Sequence, residues 1–167
     1  KRELQSFSGF YLKQIFHLFS RTRSMNKVEI FTDGGCKGNP GPGGYGCIIR
    51  QNGDDIEIKG AHPKTTNNIM EMTAAIVALK QLQDPCEIKL TTDSQYVVKG
   101  MTEWMKGWIR NGWKTASRQP VKNQEQWQEL HKLSQRHSIT WKWVKGHNGH
   151  LENERCDQLA NEAIAEL

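Results

Sequence analysis

"KVEIFTDGGCKGNPGPGGYGCIIR", residues 27–50, changes character twice, and the fold follows from how those changes are read. Residues 27–33 are β-branched and aromatic in alternation with polar side chains, the pattern of a strand. Of residues 31–44, eight of fourteen are Gly or Pro, and "GYGCIIR" (44–50) then resumes a strand pattern. Asn52-Gly53, a hairpin signal, leads into a third strand, "DIEIKGAH" (55–62). Such close spacing predicts an antiparallel meander. Residues 66–83 then switch period, with Ile69, Met72, Ile76 and Leu79 recurring at three or four as on a helix face. Pro85 marks its end and "CEIKLTTD" (86–93) reads as strand four. Residues 94–114 read as mostly helical, 114–120 as a loop, and 123–136 as a helix capped by Asn123. "SITWKWV" (138–144) is strand five, and 151–166 is a closing helix whose Cys156, Leu159, Ala160, Ala163 and Leu167 share a face. The expected fold is α/β, one five-stranded mixed sheet flanked by helices.

At 167 residues and 19.2 kDa, the chain suits one domain with a sizeable core. No run of 18 apolar residues exists, so no membrane-spanning helix is expected. Cys36, Cys47, Cys86 and Cys156 are scattered, with no CxxC pair, which points to reduced thiols and a cytoplasmic setting. The net charge of +5 divides unevenly. Residues 1–24 carry five cations against Glu3, leaving only +1 for residues 25–167. This extension is acid-poor and mixes Phe and Leu with Lys, Arg and Ser; it reads as sequence upstream of the true start, a targeting segment, or a helix. Residues 25–167 are expected to form the folded domain, and nothing in the sequence requires more than a monomer.

Asp33 and Asp93 each close a strand after a Thr, and ligands of open sheets bind at strand ends. Glu71 lies early in the 66–83 helix, beside its apolar stripe, and Asp157 near the start of the last helix. A fold joining two strand ends to two helix starts would cluster four carboxylates, whose mutual repulsion calls for a cation. Hard divalent cations take such oxygen ligands. His147 sits in the glycine-rich "KGHNGH", where a histidine beside carboxylates can move protons. Cys156 could complete a His–Cys–Asp metal site on paper, but it falls on the apolar helix face.

The loop at 34–44 lacks the GK[ST] ending of an ATP-binding loop, and a strand rather than a helix follows it. Its glycines either permit positive φ in a turn or let a broad ligand approach the backbone. In the second case Cys36, Lys37 and Asn39 offer contacts, with Asn67, Asn68 and Gln95 adding amides that suit base edges and 2′-hydroxyls. Lys99, Lys106, Arg110, Lys114, Arg118 and Lys122 face a single acid, Glu103, and interleave with Trp104, Trp108 and Trp113. Such an arm serves either as a packed protrusion with a solvated face or as a rail for a phosphate backbone.

"FTDGGCKGNPGPGGYG", "TTNNIMEMTAAIVAL", "TTDSQYV" and "SITWKWVKGHNGHLENERCDQLA" together closely resemble ribonuclease HI, particularly its bacterial form, from Met25 to about Leu167. The resemblance implies an endonuclease that hydrolyses the RNA strand of an RNA–DNA hybrid duplex and leaves 5′-phosphate and 3′-hydroxyl ends. It makes Asp33, Glu71, Asp93 and Asp157 ligands of two Mg²⁺ ions, with Mn²⁺ as a substitute, and His147 a proton-transfer group. It assigns Cys36, Asn39, Asn67, Asn68 and Gln95 to the minor groove, and Asn39 and Thr66 to the DNA-strand phosphate. The span from Trp104 to Lys122 resembles the bacterial basic protrusion, so Lys99, Trp104, Lys106, Arg110 and Lys114 are expected on the substrate side. Gly35 and Ile69 depart from residues usual in the family. A non-catalytic binding module would be marked by loss of an acid, and none is lost. A domain cut from a reverse transcriptase should carry connection sequence, and residues 1–24 show none.

Overall fold

The computed structural model describes residues 24–167, and the readings of the 1–23 stretch lie outside the described residues. Three strands come first: β1 (Asn26–Cys36), β2 (Gly41–Gln51) and β3 (Asp54–Thr65). They form the expected meander, turning between β2 and β3 at Asn52 (φ 55°) and Gly53 (φ 86°). Helix α1 (Asn67–Lys80) crosses to β4 (Cys86–Thr92). Helix α2 (Gln95–Lys99), a π-helical turn (Gly100–Trp104) and α3 (Met105–Arg110) follow as one bent rod. Then come α4 (Gln124–Ser134), β5 (Ser138–Trp143) and α5 (Leu151–Ala165). The sheet order is β3-β2-β1-β4-β5, with β4 parallel to both β1 and β5. The α/β mixed-sheet expectation therefore holds. Among the described residues no helix is long and apolar enough to cross a membrane.

Alternation along β1 divides the core. Val28 and Ile30 join Met72, Leu79, Ile88, Leu90, Trp127 and Leu130 on the face covered by α1 and α4. Phe31 points the other way and meets Ile48, Cys156 and Leu159 beneath α5. All four cysteines are free, and Cys156 is wholly buried, so it belongs to this core rather than to a metal site.

Several boundaries differ from those expected. The glycine-rich stretch is mostly strand, because only residues 37–40 lie between β1 and β2. Leu167 lies beyond α5 and is 61% exposed, since the helix ends at Ala165 before its stripe returns to the core. Asn123 holds the N-cap position of α4, as expected, but its side chain makes no capping bond. Its backbone is left-handed (φ 58°), and its side-chain amide donates to the Tyr96 hydroxyl at 3.1 Å instead. That hydroxyl also accepts from the Trp127 indole at 3.1 Å, so a tertiary contact has claimed the side chain that local sequence assigns to the cap.

Candidate active site

The parallel register of β1 on β4 ends at Thr32 opposite Thr92, so Asp33 and Asp93 emerge side by side. Asp93 closes β4, as expected. Asp33 does not close β1, which continues to Cys36 against β2; it sits where β1 outruns β4. The third acid arrives with α1. Thr66 caps that helix, its hydroxyl accepting from the Ile69 amide at 3.4 Å. Gly34 lets the helix start press on β1, since a Cβ there would lie 2.4 Å from the Glu71 nitrogen. Glu71 is consequently only 6% exposed and Asp33 7%. One oxygen from each of Asp33, Glu71 and Asp93 lies within 4.8 Å of the others.

Asp157 stands outside this tight trio but on the wall of the same cleft, about 320 Å³ in volume. Its helix is seated by two further glycines. A Cβ on Gly46 or Gly44 would come within 2.3 Å of the carbonyl of Cys156 or Ala160, so any side chain there would push α5, and Asp157 with it, off the sheet.

Burial dominates the electrostatics, and crowded like charges add to it at Asp33 and Glu71. Burial, then the charges of Asp93 and Asp157, push the Asp33 carboxyl up to about 8, although the Gly34 amide donates to it at 2.8 Å. Burial also lifts Glu71 well above the usual carboxylate range, with Asp33 and Asp93 adding to the effect. Burial raises Asp93 too, opposed by its own backbone amide, the Asn153 amide and His147. Asn153 falls short of a hydrogen bond, since its Nδ2 and Asp93 Oδ1 are both buried without partners, but its dipole still favours the ionised acid. Glu71 Oε2 is likewise buried and unpartnered. Orphaned carboxylate oxygens cost free energy unless a cation or proton satisfies them. An all-oxygen donor set suits a hard divalent ion such as Mg²⁺ or Mn²⁺. The residues present therefore fit the metal.

His147 lines the cleft with a left-handed backbone (φ 50°). Cys36 and Asn67 also line it. Cys36 Sγ donates to the Thr65 carbonyl at 3.3 Å, and Asn39 Oδ1 accepts from the Asn67 amide at 3.2 Å, tying the loop to the start of α1. Asn68 follows in the first turn of α1, and Gln95 is exposed two residues past Asp93. Thr66 and Asn39 thus have structural work in addition to any contact with a ligand.

Lys99, Trp104, Lys106, Arg110 and Lys114 lie away from the cleft wall, on the rod and the loop after it. Trp104 packs on Tyr96 and Trp108, with ring centroids 5.9 and 5.7 Å away, and Trp108 packs on buried Trp127 at 5.2 Å. The tryptophans anchor the protrusion while its basic side chains stay exposed. Two asparagines near the acids went unnoticed in the sequence: buried Asn153 beside Asp93, and Asn161 on the cleft wall. Their signal was present, since 153, 157 and 161 share one helical face.

Comparison with known proteins agrees with this geometry. The RNase H family model matches residues 25–165. The ribonuclease H of Geotalea uraniireducens is 62% identical over 138 residues, which span 83% of this chain and 94% of that protein. That of Hydrogenovibrio crunogenus is 59% identical over 143 residues, or 86% of this chain and 99% of that protein. Among solved structures, LC9-RNase H1 superposes with a TM-score of 0.77 at 33% identity, covering 85% of this chain and 74% of that one. LC11-RNase H1, solved in complex with an RNA/DNA hybrid, superposes with a TM-score of 0.62 at 27% identity, over 83% of this chain and 97% of that one. With its sheet order, its acidic trio and these relatives in agreement, the chain belongs to the ribonuclease H family of nucleases.

Proposed function

We propose that this chain cuts the RNA strand of RNA–DNA hybrids endonucleolytically, leaving 5′-phosphate and 3′-hydroxyl ends, with Asp33, Glu71, Asp93 and Asp157 holding two Mg²⁺ or Mn²⁺ ions. The observation that carries this reading is the set of three carboxylate oxygens within 4.8 Å, on buried Asp33 and Glu71 and half-buried Asp93, in a cleft that Asp157 and His147 also line. When bound, such ions supply Lewis acidity, which offsets charge at the scissile phosphate and makes water a stronger acid.

The protein's own residues do the rest. Asp33, Glu71 and Asp93 are set by strand register and a helix cap, so little reorganisation accompanies binding. His147, on the cleft wall facing Asp93, is suited to moving a proton during hydrolysis and product release. Cys36, Asn39, Asn67, Asn68 and Gln95 offer short polar groups to a minor groove, where the 2′-hydroxyl distinguishes RNA from DNA. Thr66 and Asn39 flank the helix start, where a DNA-strand phosphate would meet backbone amides. Lys99, Lys106, Arg110 and Lys114 meet the backbone further along the duplex, with Trp104 fixing their rod in place.

One chain supplies all four acids, which supports a monomer as the working unit. Four free thiols support a reducing, cytoplasmic setting. Residues 25–167 are the proposed catalytic unit, preceded by an extension at 1–24.

A hybrid labelled on each strand tests the reading, incubated with and without Mg²⁺ beside Asp33→Asn. The expected result is cation-dependent cutting of RNA alone, lost in the variant and retained by residues 25–167 without the extension. Cutting of the DNA strand, or activity unaffected by Asp33→Asn, would sink the mechanism.

A further inference from the structure

Asp157 differs from the other three acids in how it is held. Its backbone is fixed, because the carbonyls of the residues just before it and just before Asn161 abut Gly46 and Gly44. Its side chain is only half-buried and stands outside the trio, so packing alone does not select its rotamer. Asn161, one turn on, does. Its Nδ2 donates to the Asp157 carbonyl at 2.9 Å and to the Asp157 carboxylate Oδ1 at 3.2 Å. Both partners only accept, so chemistry alone orients the amide. One oxygen is thereby occupied and the second, Oδ2, remains available to a ligand. Asn161 itself lines the cleft.

We propose that Asn161 is a positioning residue that holds the Asp157 carboxylate at the cleft rim, apart from Asp33, Glu71 and Asp93. The four acids then make one tight cation site and one looser site, rather than a single knot of like charge. Freed from Asn161, Asp157 would sample its staggered rotamers, and the site that depends on it would lose preorganisation. The trio would be untouched. This inference rests on Asp157 being a cation ligand, as proposed above, and the experiment separates the two.

Mn²⁺ binding can be followed by the paramagnetic resonance of the free ion, for the protein alone and with a 2′-O-methyl RNA–DNA duplex that resists cutting. Asn161→Leu, nearly isosteric but without a donor, should weaken the looser class of sites by about 3–10-fold, the net worth of one solvent-exposed hydrogen bond, and leave the tighter class unchanged. Asn161→Gln, which keeps the amide, should recover affinity to within about 2-fold of the parent. Thermal unfolding of both variants should match the parent. Superimposable isotherms for Asn161→Leu and parent would overturn the inference. So would equal weakening of both classes, or failure of Asn161→Gln to recover binding, since either outcome assigns the effect to general packing. Asp157→Asn is the control: if it leaves Mn²⁺ binding unchanged, the ligand reading itself fails, whatever Asn161 does.

Discussion

Asp33 bears part of the cost of assembling the acids, and its share depends on pH in a definite direction. An unfolded carboxyl ionises near its ordinary value of about 4. Folded Asp33 keeps its proton up to about 8, because burial and the charges of Asp93 and Asp157 disfavour the anion. Through that window the folded state binds more protons than the unfolded state, so cation-free stability falls as pH rises, and the loss is complete above the folded pKa. Asp33→Asn escapes the penalty. Without divalent cations it should be more stable than the parent at about pH 8.5, by several kcal/mol, with the two converging near about pH 4. Denaturant unfolding in the presence of a chelator measures this. A parent that gained stability with rising pH would contradict the assignment. Added Mg²⁺ should restore the parent at high pH and do far less for the variant.

The elements meet through missing side chains as much as through present ones. In the sequence, Gly44 and Gly46 read as part of the strand "GYGCIIR", with no sign that a helix rests on them; the structure places both in β2 beneath α5. Gly46→Ala should cost about 1–3 kcal/mol by overpacking and reduce cleavage, because α5 carries Asp157 away from the cleft as it lifts. Gly107→Ala is the comparison, since a Cβ there meets nothing within 4 Å and the residue lies inside helix α3. It should be neutral or slightly stabilising, consistent with the helix preference for Ala over Gly. Equal effects from the two substitutions, read by thermal unfolding and initial rates, would refute the close-approach explanation. α1 carries a related lesson. Its apolar stripe correctly marked a helix, but Met70 and Glu71, off that stripe, are also buried because β1 and β2 cover its flank.

Charge is a property of the whole molecule here, and its placement matters more than its sum. Residues 25–167 are nearly neutral, while the acids concentrate at the cleft and Lys106, Arg110 and Lys114 stand exposed on the protrusion. A duplex laid across the molecule would meet cations bound by acids at one end and lysines at the other. Replacing Lys106, Arg110 and Lys114 together by Gln should weaken hybrid binding and reduce the slope of log affinity against log salt by about 2–3, as fewer counterions are released. The rate at saturating hybrid should hold, because none of the three lines the cleft. An unchanged salt slope would remove the protrusion from the interface.

The order of strands and helices was legible from residue type, because alternation, turn chemistry and helical period are local properties of the chain. Asp33, Glu71, Asp93, Asp157 and His147 were legible as candidates, carried by long motifs in order, and the structure brings all five to one cleft. Distances were not legible. That Asp33 and Asp93 are neighbours depends on parallel pairing between segments sixty residues apart, and that Glu71 joins them depends on Gly34 admitting a helix. The Asn123 side chain was lost as a cap to Tyr96, a partner distant in sequence. Asp157 was predicted as an equal fourth acid, whereas the docking of α5 and the Asn161 amide keep it at the rim. Local sequence specifies which groups the chain carries and on which element. Only tertiary packing brings like charges close enough to perturb one another, because that cost is met by contacts made across the whole sheet.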